Sequence, residues 1–511
     1  MVILNTIKHN IIPRISLPAL LMGCWLCLLA TPVSVLANRF EYTQQAQEAY
    51  KKATSLRLFE ANNTLAQIRS QDPGNLIVYH IEDYIDFFQV YLSDDKALYE
   101  RLKRKRDLRL DALSHGDRRS PYYLYVQADI RLHWALLRLR FGEYLAAFSE
   151  VNKAHKLLQK NQELFPDFMP NLKDLGILHA MVGTIPDNYQ WGVKLLSSLK
   201  GTISEGKKEL EKVLAYSRSN DFLFEEETIA LYSFLLLHLD NNKEGAWAAI
   251  RTDKLRPQSN PLHCFVIANI AMRAGHNDAA IRVLEQRPRG RTIQAFPYLD
   301  YMQGLAKLRR LDGTANLYFQ KYLNTYKGNF FIKESYQKLA WCELLQNRPE
   351  GYAKFMKNCT ERGDAVAGGD KSALREASSG KTPNTVLLKA RLLFDGGYYQ
   401  KALDLLRGRK AEMFSEKRDR LEFTYRMGRI LHGLEKEPEA LVFYQRTIAE
   451  GKNDPSYFAC NAALHIGLIY EAQSDKSKAR QYYQYCLSLH PDEHETALHQ
   501  QAKAGLGRIR G

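Results

Sequence analysis

The chain has 511 residues, of which 45% are hydrophobic and 25% charged, with a net charge of +15. This composition excludes a disordered or fibrous chain and indicates a globular protein with a basic surface. Five cysteines lie beyond residue 37, and none of these five forms a CxxC pair, which excludes a dense disulfide framework.

Residues 1–37 have the layout of a secretory signal peptide. Lys8 and Arg14 provide a basic start, residues 15–29 are mostly apolar, and Val35-Leu36-Ala37 resembles a cleavage site. We therefore expect an exported protein of the periplasm or cell envelope. A membrane anchor through residues 15–37, or a lipoprotein formed at Cys24, is the alternative.

Region 38–220 is predicted to be irregular and helical. Apolar spacing predicts helices over 75–92, 97–113, 122–140 and 142–158. A broken helical unit follows, in which Gly176 belongs to the first helix and Gly206 to the matching second helix. An insertion near 182–201 separates them, and its Tyr189 and Trp191 form a candidate contact surface. The alternative is that these aromatic side chains fill the gap left by the broken unit.

A basic run extends from Arg101 to Arg106 and continues at Arg109, Arg118 and Arg119. It is interpreted either as the solvated face of a long helix or as a surface that docks on an anionic envelope polymer or lipid. No aromatic residues are interleaved for base stacking, so no nucleic-acid partner is expected.

One spacing recurs through the rest of the chain. Near the C-terminus it reads Gly467, Tyr470, Ala479, Tyr483, Cys486 and Pro491. Copies start at residues 268, 390 and 428, and weaker copies start at 233, 304 and 340. We predict central repeats over 221–360, a flexible loop over 361–384 that holds one helix near 370–377, and C-terminal repeats over 385–511. Cys342 and Cys359 fall on the two helices of one unit and could pair.

This spacing resembles that of tetratricopeptide repeats, which are helix–turn–helix units of about 34 residues. The chain is also similar to exported repeat proteins of Bacteroidota, and the segment from Gly176 to Leu210 is similar to the Iml2/TTC39 type. The resemblance implies an all-α, right-handed superhelical solenoid of roughly nine to ten hairpins. It further implies a non-enzymatic scaffold of the cell envelope, without a cofactor, that binds a protein or peptide.

In such repeats the first helix of each hairpin, helix A, lines the concave face. The positions three before and one after its small residue are candidates for contact with a partner. Those with aromatic or polar side chains are Phe265, Asn269, Tyr301, Trp341, Arg391, Tyr425 and Arg429. This mixture suits a peptide with apolar anchors and a carboxylate. The alternative is that some of these side chains pack against the adjacent helix.

Three segments resemble catalytic motifs but miss their spacing. His494, Glu495 and His499 depart from HExxH by one residue, and Pro491 interrupts the four-residue spacing of His490 and His494. Gly369-Asp370-Lys371-Ser372 breaks the Gly-Lys-Ser run of a phosphate loop. We therefore expect no catalytic, cofactor or metal site, and a cryptic hydrolase is the last alternative.

Overall fold

The computed structural model describes residues 38–182 and 199–509. Within these ranges, all regular structure is helical apart from one isolated β-bridge between Arg39 and Asn75. The chain is an all-α helical repeat protein, which confirms the predicted fold class. None of the described helices has the length and apolarity needed to span a membrane. The predicted leader, Tyr189 and Trp191 lie outside the described residues.

Over residues 38–182 and 199–220, the N-terminal region contains eight helices. They are α1 (Gln44–Thr54), α2 (Leu58–Gln71), α3 (Ile77–Ser93), α4 (Lys96–Ser114), α5 (Tyr122–Arg140), α6 (Tyr144–Leu164), α7 (Met169–Val182) and α8 (Ile203–Ser217). The four helices expected from apolar spacing correspond to α3 through α6.

The central and C-terminal repeats contain sixteen further helices. The central ones are α9 (Glu225–His238), α10 (Lys243–Ala249), α11 (Pro261–Arg273), α12 (Asn277–Glu285), α13 (Tyr298–Arg309), α14 (Ala315–Thr325), α15 (Ile332–Leu345) and α16 (Pro349–Glu361). The C-terminal ones are α17 (Gly368–Ser378), α18 (Thr385–Asp395), α19 (Tyr399–Leu406), α20 (Lys417–Gly433), α21 (Glu437–Gly451), α22 (Phe458–Ala472), α23 (Lys476–Leu487) and α24 (Glu495–Arg508).

Consecutive helices pair into hairpins, and each hairpin packs on the next one along the chain. The described ranges hold eleven such hairpins, slightly more than the nine to ten expected, with α17 inserted and α24 closing the C-terminal end. The apolar core is accordingly a series of clusters between neighbouring hairpins, and the largest spans residues 40 to 224. This is the core organisation of a solenoid.

Small residues lie where the two helices of a hairpin cross, as the repeat spacing predicts. A Cβ atom placed on Gly428 would lie 2.7 Å from Cδ1 of Tyr444, and one on Gly467 would lie 2.6 Å from Cε1 of Tyr483. In the broken unit, a Cβ atom on Gly206 would overlap the carbonyl oxygen of Gly176. The pairing of Gly176 with Gly206 across the insertion is therefore confirmed.

Substitution of Gly467 by leucine is expected to lower the free energy of unfolding of the C-terminal hairpins by about 1–3 kcal/mol. The ring of Tyr483 is completely buried, and it also packs against Gly505, so it cannot move away from the new side chain. Gly507→Leu is the matched control, because a Cβ atom there has no neighbour within 4 Å. Urea unfolding of both variants tests the repeat register, and equal stability of the two would show that the register is wrong.

The segment 361–384 contains α17, at the position expected for a helix. Asp370 is completely buried, and its carboxylate accepts hydrogen bonds from the backbone N–H groups of Phe331 (2.8 Å) and Glu334 (3.0 Å). Asp370 thus caps the N-terminus of α15, where N–H groups lack helical partners. Through Asp370, the Gly369-Asp370-Lys371-Ser372 segment therefore joins α17 to α15.

All five described cysteines are buried and free. Cys342 and Cys359 form no disulfide, although they share one hairpin. The closest pair is instead Cys460 on α22 and Cys486 on α23, whose Sγ atoms are 3.6 Å apart. Burial raises the pKa of the Cys342 thiol to about 12 and that of Cys359 to about 11, so both stay protonated and unreactive.

Repeats far apart in sequence meet at the turns that follow α11 and α18. Asn277 Nδ2 donates to Tyr398 Oη at 3.1 Å, and Tyr398 Oη donates to Asp278 Oδ1 at 2.8 Å. Gly397 has a φ of +78°, and a Cβ atom there would overlap the backbone of Gly275. Only glycine combines this backbone angle with such a close approach. This contact joins the α11–α12 hairpin to the α18–α19 hairpin.

Candidate functional site

The predicted concave-face residues differ widely in exposure. Tyr301, Trp341 and Tyr425 have relative exposures of only 3%, 2% and 1%. Phe265, Asn269, Arg391 and Arg429 are partly buried. The three aromatic side chains therefore offer a partner almost no surface, whereas both arginines remain accessible.

The positions three residues before the small residue pack between successive A helices. The Tyr425 ring contacts the rings of Tyr457 and Phe458, with centroids 5.7 and 5.3 Å away. Phe265 likewise lies between Phe234 and Phe296, at 6.1 and 5.6 Å. Side chains at these positions stabilise the stacking of hairpins. This agrees with the alternative interpretation, in which they pack against the adjacent helix.

Trp341 is buried for a different reason, because α17 covers it. Its indole Nε1 donates to Glu376 Oε1 on α17 at 2.7 Å, and Glu376 also accepts from Gln337 at 2.7 Å. Lys338 Nζ and the Arg391 guanidinium lie over the indole ring, 3.9 and 5.1 Å from its centroid. An inserted helix thus occupies the place that a partner would take in a regular repeat.

Four cationic side chains line the accessible inner face where the distant repeats meet. We call this set the inner basic surface, and it comprises Lys243 on α10, Arg273 on α11, Arg309 on α13 and Arg429 on α20. Tyr298, Phe394 and Tyr399 flank it and are partly buried.

Lys243 and Arg273 have no hydrogen-bond or ion-pair partner among the described residues. Both side chains are exposed to solvent. Desolvation, the Arg429 charge and the Arg273 charge lower the pKa of Lys243, although the adjacent Glu244, which forms no ion pair with it, opposes this. Desolvation and the Arg309 charge likewise lower the pKa of Arg273, although Tyr298 opposes this. Like charges held together without a counterion destabilise the free protein and attract an anion.

Arg429 is held in place by aromatic neighbours rather than by a carboxylate. Its Nη1 donates to Tyr425 Oη at 2.8 Å, and its guanidinium lies 4.7 Å from the centroid of the Phe394 ring. Asn461 Nδ2 also donates to Tyr425 Oη, at 2.7 Å. Since the tyrosine is fixed in this way, the remaining guanidinium N–H groups have a defined direction toward an anion.

Two histidines, His432 and His465, border the inner basic surface. Their ring centroids are 5.7 Å apart. The His465 ring also stacks on that of Tyr444, with centroids 5.7 Å apart, and its buried Nδ1 has no hydrogen-bond partner. Burial and the nearby Arg429 lower the pKa of His432 to about 4 and hold the pKa of His465 well below its usual range. Both imidazoles are therefore neutral near pH 7, and the positive charge comes from lysine and arginine alone.

Farther along the inner face, cations are paired with carboxylates. Arg426 donates to Glu422 Oε1 from Nε and Nη2 at 3.1 and 2.9 Å. The Arg391 Nε atom lies 3.9 Å from Asp395 Oδ2. The inner face therefore alternates in charge outside the inner basic surface, which limits the length of a polyanion that could lie along it.

Part of the inner basic surface could be identified from the sequence. Arg273 and Arg309 each follow the small residue of their repeat by five positions. On a helix, positions one and five after the small residue share a face. Including position five among the candidate contact positions would therefore have identified both arginines. Lys243 has no such signal, because it begins the second helix of a hairpin and reaches the site only through the superhelix.

The basic run is largely neutralised within the protein. Arg106 is buried and donates to Glu150 at 2.8 Å, and Lys103 donates to Glu143 at 2.7 Å. Arg109 is 2% exposed and pairs with Glu82 and Asp86. Arg101, Arg104, Lys105, Arg118 and Arg119 remain exposed, with Lys105 and Arg119 beside Asp86 and Asp117. The buried cations of the run are thus paired inside the protein, and the lipid or polymer hypothesis depends on the exposed ones.

A buried polar network, absent from the sequence-based candidates, lies among α1, α3, α5, α7 and α9. We call it the N-terminal network, and its members are Tyr50, His80, Asp83, Tyr84, Asp129, His133, Lys173, Asp174 and Glu227. Lys173 Nζ is 2.8 Å from Glu227 Oε1 and 2.6 Å from Asp174 Oδ1. His80 contacts Asp129 at 2.8 Å, and His133 contacts Asp83 at 2.9 Å.

The charges of the N-terminal network shift one another strongly. Burial opposes the charged form of His133, but Asp129 and Asp83 outweigh it and raise the pKa to about 9. Burial raises the pKa of Asp174 to about 8 despite the adjacent Lys173. The pKa of Asp129 is held below its usual range by His133 and Lys173, against the effect of burial. Because most of these groups satisfy one another in the interior, we assign the network to stability.

No family model matches the chain, and no curated protein matches it. Among solved structures, the chain is similar to a monomeric mutant of IFIT1 with Gppp-AAAA. The identity is 13%, the match covers 83% of this chain and 89% of that chain, and the TM-score is 0.29. A TM-score this low supports no statement about function. The resemblance to exported bacterial repeat proteins and to the Iml2/TTC39 type stays a prediction.

Proposed function

We propose that this protein is a non-enzymatic scaffold that binds a short acidic segment of a partner protein at the inner basic surface. The observation that carries the proposal is the convergence of Lys243, Arg273 and Arg429 from distant repeats, with Lys243 and Arg273 lacking a carboxylate partner. Carboxylates of the segment would supply the missing counterions. Its apolar side chains would contact Tyr298, Phe394 and Tyr399.

The charge pattern favours a peptide over a nucleic acid. A phosphate backbone carries one negative charge per nucleotide and would meet Asp395 and Glu422 farther along the inner face. A peptide with one or two carboxylates can satisfy the inner basic surface without that repulsion. The accessible rings, moreover, lie beside the cations rather than as a continuous stacking platform.

We also propose that the protein acts in the periplasm or cell envelope. This rests on the basic start, apolar stretch and cleavage-like Val35-Leu36-Ala37 of residues 1–37. In that compartment a preformed curved surface would hold its partner in place without chemical change.

The test is selection of a displayed library of random peptides on the full chain, followed by affinity measurement. Selected peptides should be rich in Asp, Glu and apolar residues. A Lys243→Ser, Arg273→Ser, Arg429→Gln variant should bind them about 10- to 100-fold more weakly, because three ion pairs contribute on the order of 0.5–1 kcal/mol each.

The matched control is Lys212→Ser, Arg218→Ser, Arg480→Gln, which removes the same charge from exposed positions elsewhere. It should leave peptide affinity unchanged. Equal weakening of peptide binding by both variants would show that affinity depends on net charge alone, which would contradict the proposed site. A uridine oligonucleotide that binds through Lys243, Arg273 and Arg429 when no acidic peptide does would replace the peptide assignment by a nucleic-acid one.

A further inference from the structure

His490, Glu495 and His499 converge between α23 and α24. His490 Nδ1 lies 2.7 Å from Glu495 Oε1, and His499 Nδ1 lies 3.9 Å from the same oxygen. One ligand atom from each of the three residues lies within 4.8 Å of the other two. Glu495 and His499 are four residues apart at the start of α24 and so share a face, while His490 approaches from the preceding loop.

The hydrogen bond of His499 fixes which of its nitrogens is free. Nε2 lies 2.9 Å from the carbonyl oxygen of Leu489, which only accepts, so Nε2 carries the proton. The neutral ring then presents the Nδ1 lone pair toward Glu495 Oε1, too far away for a hydrogen bond. A histidine that donates one N–H to a backbone carbonyl and aims its other nitrogen at a carboxylate is oriented as a metal ligand with its second-shell partner.

We propose that His490, Glu495 and His499 form a binding site for a divalent transition metal, with Zn²⁺ as the best-suited ion. Two imidazole nitrogens and one carboxylate oxygen are ligands that zinc favours, and water would complete a tetrahedral shell. On binding, the proton that His490 Nδ1 shares with Glu495 Oε1 would be released to solvent, and the three ligand atoms would close around the ion at about 2.0–2.2 Å. The ion would join the last hairpin to the closing helix α24.

The site differs from the HExxH motif that the sequence resembles. His494 precedes the first turn of α24 in a left-handed conformation with a φ of 61°, and it is not part of the three-residue set. Glu495 lies four residues before His499, where that motif has its first histidine, and His490 adds a ligand from the preceding loop. Pro491, which argued against a metal site on a continuous helix, lies in the loop that brings His490 back to α24.

Isothermal titration of ZnCl2 into the full chain, purified without a histidine tag and stripped with a chelator, tests the site. The wild type should bind Zn²⁺ with micromolar or tighter affinity at this site. His490→Gln, Glu495→Gln and His499→Gln should each weaken that binding by at least about tenfold. Glutamine at 499 can still donate to Leu489 O, so loss of binding there would report the missing ligand rather than a lost loop contact.

His494→Gln is the matched control, since it removes a histidine between the proposed ligands, and it should leave zinc affinity unchanged.

Co²⁺ bound in place of zinc should show the visible absorption of a four-coordinate site, and His490→Gln should abolish it. Binding that persists unchanged in His490→Gln and His499→Gln, or no binding by the wild type, would overturn the proposal. So would an equal loss in His494→Gln. Zinc binding that depends on His179, Glu205 and Glu209 instead, the other three-residue set of this kind, would likewise overturn it.

Discussion

Replacement of Lys173 by methionine is expected to lower the opening free energy of α5 and α7 by about 3–5 kcal/mol, as for other buried ion pairs that lose one partner. The Lys173 side chain is completely buried and contacts Asp174 and Glu227. Methionine has a similar length but no charge, so these carboxylates and Asp129 would remain in the interior without their cation. Hydrogen–deuterium exchange of the 122–140 and 169–182 backbone amides measures the change.

The design contains two controls. Helices α20–α23 lie in distant hairpins, and a solenoid transmits stability mainly between neighbours, so their exchange should not change. Lys160→Met removes an exposed lysine whose ion pair with Glu163 spans 3.5 Å, and it should cost no more than about 1 kcal/mol. Equal effects of Lys173→Met and Lys160→Met would mean that the N-terminal network contributes little stability.

The repeat register could be predicted because it depends on local complementarity of size. A glycine or alanine on one helix and a large side chain 16 residues later meet within one hairpin, as Gly467 and Tyr483 do. No information from elsewhere in the chain is needed. The same holds for Gly176 and Gly206, whose partnership was recognisable even across an insertion.

Accessibility at the inner face could not be predicted from one repeat. Trp341 occupies a position that faces the groove in a regular unit, but α17 lies over it and accepts its indole hydrogen bond. Arg429 became part of a site only because Lys243 and Arg273 approach it through the turn of the superhelix. Side-chain periodicity specifies a face of a helix, whereas exposure depends on which other helices cover that face.

Buried charges beside the N-terminal network could be predicted from the sequence, and Arg109 contacts the network through Asp83 at 3.7 Å. Helix α3 is mostly apolar yet contains Glu82, Asp83 and Asp86, all buried. Charges on an otherwise apolar helix indicate buried partners, because an unpaired buried charge is strongly unfavourable. One partner, Arg109, was assigned to a solvated basic run. Its neighbours could be found only from tertiary structure.

The free energy of unfolding of the N-terminal hairpins is expected to fall as pH rises from about 6.5 to 9, by an amount on the order of a few kcal/mol. The folded pKa of His133 is raised to about 9, so its stabilising charge is present below the unfolded value and lost as pH rises through 9. Asp174 acts in the same direction. Its folded pKa of about 8 means that the unfolded state releases this proton first, which favours unfolding increasingly up to pH 8.

Asp174→Asn separates the two contributions. Asparagine imitates the protonated carboxyl group, and its side-chain oxygen can still accept from Lys173, so stability near pH 6.5 should be at least that of the wild type. The decline between pH 6.5 and 8 should be shallower, because the contribution of Asp174 is then absent while that of His133 remains. Asp167→Asn, an exposed change just before α7, should leave the wild-type profile intact. A profile in Asp174→Asn as steep as that of Asp167→Asn would show that Asp174 is already ionised in the folded protein.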